Sequence, residues 1–517
     1  MQTENQDAVI AFLHEKLPEA HTVETHISRL FIGAQTVYKL KKAVRLSYVD
    51  LGTADKRLAC CGREVELNRL TAPALYRGVR RITRAADGLA FDGPGALADA
   101  VVEMARFDEA GLADRLAAEG RLTPALAEAM AGEIARFHAR APVRLPPPSG
   151  SAAIAAVLEI NRRALRPSGR LFGDAAVERL TGAQAARLAA LRGLADSRAR
   201  AGRVRRCHGD LHLRNIVVID GQPVLFDCLE FDDAMATVDV LYDLAFVVMD
   251  LIHRGLGEAA NVLFNRYLDL AGDSGGLALM PLFLAMRATV RGHIAGGAAA
   301  EGGPAAAGLR AEAAAYLGLA EGLLAPRGGA RIVAIGGFSG SGKSTVARGL
   351  APLLGPAPGA REISSDRTRK ALLRVAPRTR LPAEAYRPAV SAAVYGQLLA
   401  GAQAAAAAGQ AVVVNAVFDR PADRAAVAAV AARAGVPFTG IWLDAPEAVL
   451  VGRVEQRRAD PSDADAGVVR AQMGHDPGAI GWVRIDAAGT PAEVLERVAA
   501  ACINGLQGPQ KFACEWP

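Results

Sequence analysis

Short runs with the two-residue alternation of strands come first in the chain, at residues 29–32 and 36–41, and helical periodicity follows over roughly 57–70. Ahead of them, MQTENQDAVIAFLHEKLPEA has no basic start followed by an apolar run, so it predicts a short amphipathic helix rather than a secretory signal. The most apolar stretches are 238–252 and 277–290. Asp239, Asp243 and Asp250 break the first and Arg287 the second, which argues against a bilayer span. Farther on the pattern changes. RIVAIG at 331–336, AVVVNAVF at 411–418 and residues 438–443 are β-branched apolar runs set among helix-like segments, the signature of strands buried on both faces of a parallel sheet.

Between these two patterns lies a Gly/Ala/Glu run, residues 294–327, whose middle (305–324) predicts a helix closing a first domain. The expected division is therefore a domain over 1–327 and another over 328–517. LPPPSGSAA at 145–153 predicts a loop within the first. A length of 517 residues calls for more than one core, and with 51 % apolar but only 5 % aromatic residues the cores should be helices packed through small side chains. The net charge of +6 comes from 60 Lys and Arg dispersed among 54 Asp and Glu, without a basic stripe carrying interleaved aromatics, which argues against a nucleic-acid partner. Six cysteines at no metal-ligand spacing fit reduced thiols and a cytoplasmic protein.

The strand at 331–336 runs directly into Gly337-Phe338-Ser339-Gly340-Ser341-Gly342-Lys343-Ser344-Thr345 and then a helix-like segment. Strand, glycine loop and helix in that order form a P-loop: backbone N–H groups and a helix N-terminus surround phosphate oxygens, Lys343 bridges the β- and γ-phosphates of ATP, and Ser344 holds Mg²⁺. A strand at 362–365 would deliver Asp366 to orient or deprotonate an acceptor hydroxyl, with Arg369 to clamp an anionic group. Asn415 stands where a Walker-B-type carboxylate is expected. Arg453 and Arg457, with Arg458, share a helix face suited to a lid over phosphates.

In the first domain, His208-Gly-Asp210-Leu-His-Leu-Arg-Asn215 precedes a strand-like 216–219, and Asp227 follows a Gly-Gln-Pro turn. That spacing resembles the kinase catalytic loop and its metal-binding Asp: Asp210 would take or orient the acceptor hydroxyl, and Asn215 and Asp227 would hold Mg²⁺. The expected lysine and its helical carboxylate are Lys39 and Glu64, with Lys41, Lys42 and Glu66 as neighbours, and 101–107 would meet the adenine. Together VYKLKK, REVELNRLTAPALYRGV, HGDLHLRN, FDCLEFDDAMATVDVLYDLAF, GFSGSGKST, SSDRTRK and SDADAGVV resemble the bacterial family of bifunctional aminoglycoside phosphotransferase/ATP-binding proteins over nearly the whole chain. The resemblance implies an α+β protein-kinase-like (aminoglycoside-phosphotransferase-like) domain fused to an α/β P-loop kinase domain. Each would move a γ-phosphoryl group from ATP to a small-molecule hydroxyl; a second reading makes the N-terminal domain a binding or regulatory module beside a single active P-loop domain. Asp239 and Asp243 are expected to buttress the catalytic loop.

Overall fold

The computed structural model describes residues 4–46, 49–86, 88–144, 149–166, 172–325, 329–376, 379–456 and 462–503. The chain divides into two compact units, one formed by residues 1–259 and 282–322, the other by 260–281 and 323–517. Residues 260–281, on the N-terminal side of the expected boundary, thus group with the second unit. The proline loop at 145–148 and residues 326–328 lie outside the described residues. Among the described residues no helix is long and apolar enough to cross a membrane.

The first unit begins with helix α1 (Asp7–Lys16) and strands β1 (His21–Glu24), β2 (Ser28–Ile32) and β3 (Thr36–Lys41). Helix α2 (Ala54–Asn68) follows, then β4 (Tyr76–Ala85), β5 (Gly88–Phe91) and β6 (Ala96–Ala105). The strands form one antiparallel sheet in the order β1-β2-β3-β6-β4-β5. Both faces are covered. Val9, Phe12 and Leu13 of α1 pack with Phe31, Tyr38 and Leu40, while Cys61 and Val65 of α2 pack with Val37, Tyr76 and Val102. The period of two in β3 therefore decides the chemistry: Val37, Lys39 and Lys41 face α2, and Tyr38 and Leu40 face α1.

Behind this sheet, β7 (Ile216–Ile219) and β8 (Gln222–Leu225) make an antiparallel hairpin turned at Asp220 and Gly221, both at positive φ. Helix α3 (Val240–His253) is buried along nearly its whole length. Its acidic residues, which break the apolar stretch in the sequence, are buried as well and receive backbone N–H groups, as described below.

The second unit is built on a parallel sheet of β9 (Ile332–Gly336), β10 (Arg361–Ser364), β11 (Val412–Asn415), β12 (Phe438–Asp444) and β13 (Val483–Asp486), in the order β10-β11-β9-β12-β13. β11 ends at Asn415, short of the expected 418; Ala416 N still donates to Ile335 O and Gly337 N to Val417 O, and the chain turns at Phe418, whose φ is 51. Edge strand β10 has a side-chain partner. On helix α4 (Gly257–Ala271), which precedes helix α5 (Met280–Ala300) in the chain, Asn265 accepts from Glu362 N at 2.9 Å and donates to Ala360 O at 3.1 Å, and Asn261 donates to Pro358 O and Ala360 O at 2.9 and 3.0 Å. Two buried asparagines thus satisfy backbone groups that an open sheet edge would leave unpaired.

Candidate active sites

In the first unit, the shared face of β3 and α2 brings two lysines onto one carboxylate. Lys39 Nζ lies 2.8 Å from Glu64 Oε1 and 2.5 Å from Asp227 Oδ1. Lys41 Nζ lies 2.5 Å from Glu64 Oε2 and also pairs with Glu230. The other neighbours face outward: Lys42 pairs with Glu24 and Glu66 with Arg63, all partly exposed. Burial opposes ionisation of Glu64, but Lys39 and Lys41 outweigh it and hold the carboxyl at about 2. Burial likewise opposes the charge on Lys39, and Asp227 and Glu64 overcome it, raising its pKa well above the usual value. Asp227 sits at φ 62, a conformation that costs a non-glycine residue about 1–3 kcal/mol and recurs at functional sites. Its N–H donates to the buried Tyr76 hydroxyl at 3.1 Å.

Asp210 follows Gly209, whose φ of 85 turns the loop. Asn215 Nδ2 reaches both Asp210 O (2.9 Å) and Oδ2 (3.0 Å), and His212 Nε2 lies 3.3 Å from the same Oδ2. Both neighbours hold one carboxylate oxygen, which leaves Oδ1 for an acceptor, and 42 % of the side chain is exposed to admit one. Burial of the carboxyl is outweighed first by His212 and then by His208 and Arg287, keeping Asp210 ionised well below the usual range. Two carboxylates of α3, seven residues apart, hold the loop from behind. Asp243 accepts from His208 N (3.2 Å), Gly209 N (2.9 Å) and pairs with His138 Nε2 (3.1 Å), and Asp250 accepts from Leu213 N (3.1 Å). Asp239, expected to share this task, instead pairs with Arg198 and caps α3 through Leu241 N. Residues 101–107 are the end of β6 and the turn after it.

In the second unit, a cavity of about 760 Å³ is lined by Ser339–Val346, Asp366, Arg369, Asn415 and Arg453, among others. Glycine is required where the loop touches neighbouring backbone. Gly337 (φ 137) and Gly340 (φ 88) would place a Cβ 2.5 Å from Leu443 O and 2.4 Å from Leu450 O. Helix α6 (Lys343–Leu350) starts at the loop's end and turns its N-terminus to the cavity; Lys343 Nζ donates to Phe338 O at 2.9 Å. Among the described residues Ser341 Oγ is buried with no hydrogen-bond partner, which suits a loop made to meet phosphate oxygens.

Two expectations change at this site. Helix α7 (Ser365–Leu372) begins directly after β10, so Asp366 stands in its first turn rather than at a strand end. Arg453, at the end of helix α8 (Glu447–Glu455), is not a free lid cation: its guanidinium donates to Ala487 O (2.7 Å), Ala488 O (3.2 Å) and Gly489 O (2.7 Å), fixing the turn that lines the cavity. Arg457 and Arg458 lie outside the described residues. Arg369 Nη1 donates to Ala385 O (2.8 Å) and Ser391 Oγ (3.3 Å), and its Nε is buried without a partner among the described residues. Asn415 Nδ2 donates to Glu362 Oε1 at 3.0 Å, and burial raises the Glu362 carboxyl above the usual range. Sequence reasoning passed over Tyr386, Asp419, Asp423 and Asp463, which line the same cavity. No spacing rule marks them, although SDADAGVV was among the segments that carried the family resemblance.

Comparison with known proteins gives two consecutive matches. Residues 42–279 match the phosphotransferase enzyme family, and residues 332–475 match an AAA domain family. Uncharacterized proteins of Mycobacterium tuberculosis (strain ATCC 25618 / H37Rv) and Mycobacterium bovis are 30 % identical over 474 residues, 90 % of this chain and 92 % of theirs. The chain belongs to their family, which fuses an aminoglycoside-phosphotransferase-like kinase domain to a P-loop kinase domain. As a member of this family it is a phosphotransferase with nucleotide-binding kinase domains. Solved structures are similar to parts of the chain. A choline/ethanolamine kinase family protein from Mesorhizobium loti (14 % identical, TM-score 0.37) covers 59 % of this chain and 88 % of its own. A gluconokinase from Sinorhizobium meliloti 1021 (24 % identical, TM-score 0.24) covers 34 % and 92 %.

Proposed function

We propose that each domain transfers the γ-phosphoryl group of ATP to a hydroxyl of a small molecule. In the first, the acceptor oxygen forms a bond to the γ-phosphorus, the bond to the ADP oxygen breaks, and the hydroxyl proton passes to Asp210 Oδ1. Lys39, held by Glu64, faces the α- and β-phosphates. Asn215 and Asp227 offer the oxygen donors that suit Mg²⁺, which would neutralise the triphosphate as charge moves to ADP. In the second domain Gly337–Thr345 cradles the phosphates, Lys343 bridges the β- and γ-groups, Ser344 offers a hydroxyl to Mg²⁺, Asp366 takes the acceptor proton and Arg369 orients the acceptor.

The observation that carries this reading is the meeting of Lys39, Glu64 and Asp227 from three distant segments, one of them 188 residues from the lysine, around one ion-pair network. Ion pairs of this kind also serve folding; the positive φ of Asp227 and the half-exposed Asp210 side chain are what favour a functional site. The test is transfer of γ-³²P from ATP into a bacterial metabolite extract by the wild type, Asp210→Asn and Lys343→Ala. Each variant should lose a different labelled product. If only Lys343→Ala loses product, the N-terminal domain is a binding or regulatory module; if neither does, both assignments fall.

A further inference from the structure

Asp463 lies outside the roles given above, yet its carboxylate gathers three separate pieces of the second unit. Lys370 Nζ, on α7, is 3.0 Å from Oδ1. Leu381 N donates to Oδ2 at 3.1 Å and Tyr386 Oη donates to Oδ2 at 2.6 Å. The Asp463 side chain is 9 % exposed and that of Lys370 2 %, so the pair is shielded from water where such contacts are strongest. Lys370 also donates to Thr379 O, tying the same segment a second time.

What these contacts hold in place is one part of the lining of the P-loop cavity. The Arg369 guanidinium rests on the Tyr386 ring with Cζ 4.7 Å from its centroid, and binds Ala385 O just before that tyrosine. Asp366 stands one turn earlier on α7, so a single helix carries Asp366, Arg369 and Lys370. Fixing Lys370 and Tyr386 at once therefore sets the register between the helix that bears the acceptor base and the aromatic on which the acceptor arginine lies. Among the described residues the hydrogen bonds and ion pairs of the Asp463 carboxylate go to Lys370, Leu381 and Tyr386.

We infer that Asp463 is a positioning residue for the acceptor of the P-loop domain: it assembles the Asp366–Arg369–Tyr386 wall and leaves the nucleotide loop untouched. The inference rests on the reading of this domain as a phosphotransferase. The test uses the full chain carrying Asp210→Asn, so that labelled product reports the P-loop domain, with γ-³²P-ATP and a dilution series of the metabolite extract as acceptor. ATP affinity of the same site is read by titration, with Lys343→Ala as its blank. Asp463→Asn should lower the transfer rate about tenfold to a hundredfold and raise the half-saturating extract concentration, while ATP affinity stays within about twofold, because misplacing one reacting group by an ångström costs rates of that order. Tyr386→Phe, which removes one donor and leaves the Lys370 pair intact, should shift transfer the same way by about threefold to tenfold, and Asp463→Glu should recover part of the loss. Unchanged transfer in both Asp463→Asn and Tyr386→Phe overturns the inference, as does a loss of ATP affinity parallel to the loss of transfer in both. A parent chain that labels no product overturns the phosphotransferase reading and this inference with it.

Discussion

The two units hold nucleotide-type sites made from opposite materials. In the first the site is side chains: Lys39, Glu64, Asp210, Asn215 and Asp227 come from a strand, a helix, a loop and a hairpin end, and buried ion pairs gather them. In the second it is backbone: nine consecutive residues supply the cradle, and glycines let it lie against Leu443 and Leu450. A site of side chains should fail when one charge is lost. A backbone site should fail when one methyl group is added.

The largest effects would come at the two points where this contrast is sharpest. Asp210→Asn should reduce transfer by the first domain by about 100-fold or more with ATP still bound, since a positioned general base contributes 10²–10⁴-fold. In the second, Gly340→Ala should abolish ATP binding by the P-loop with no charge altered, because the added Cβ would meet Leu450 O at 2.4 Å and the φ of 88 disfavours any side chain. Titration calorimetry and labelled transfer check both. Tight nucleotide binding at the P-loop of Gly340→Ala would remove the contrast.

Glu64→Gln comes next. It leaves two buried ammonium groups with one carboxylate fewer, and it should destabilise the first unit by about 3–5 kcal/mol, the usual result of breaking a buried pair. Emission from Trp442 and Trp482, both in the second unit, should not report that loss; circular dichroism should. Asn265→Ala works the other way round, uncapping β10 at a cost of about 1–3 kcal/mol for the buried backbone groups it exposes, seen as an earlier transition in tryptophan emission.

The smallest effect, and the most discriminating in sign, is that of pH. Glu64 has its folded pKa depressed below the unfolded value, so its contribution is present above about 4.5 and is lost as the pH falls towards 2. Glu362 has its folded pKa raised, so the second unit takes up a proton more readily when folded and gains stability as the pH falls through that raised value. Mild acidification should therefore shift the tryptophan-reported transition upward, and further acidification should weaken the first unit. Parallel shifts of both transitions would contradict the opposed electrostatics.

The same contrast explains what could be read from the sequence. The P-loop was legible because its chemistry is contiguous. Strand β7 was placed at its observed bounds, and β3 with them, because period-two alternation depends only on neighbours. Asp210, Asn215 and Asp227 were legible because a loop and a hairpin keep them within 18 residues. The contacts that were not legible span the chain: Lys41 to Glu230, Asp463 to Lys370 and Asn265 to the edge of β10. Each depends on tertiary packing that leaves no periodic trace. Arg453 was misjudged for a related reason, since helical spacing gives the face of an arginine but not whether backbone carbonyls already occupy it.

The central claim is that one chain carries two independent nucleotide sites, and the most direct measurement is the number of ATP molecules bound per chain at equilibrium in the presence of Mg²⁺. The account predicts two for the wild type and one for Lys343→Ala. It also predicts one for Asp227→Ala, with the remaining site in each variant keeping its affinity. One molecule per chain in the wild type, or two in Lys343→Ala, would contradict it.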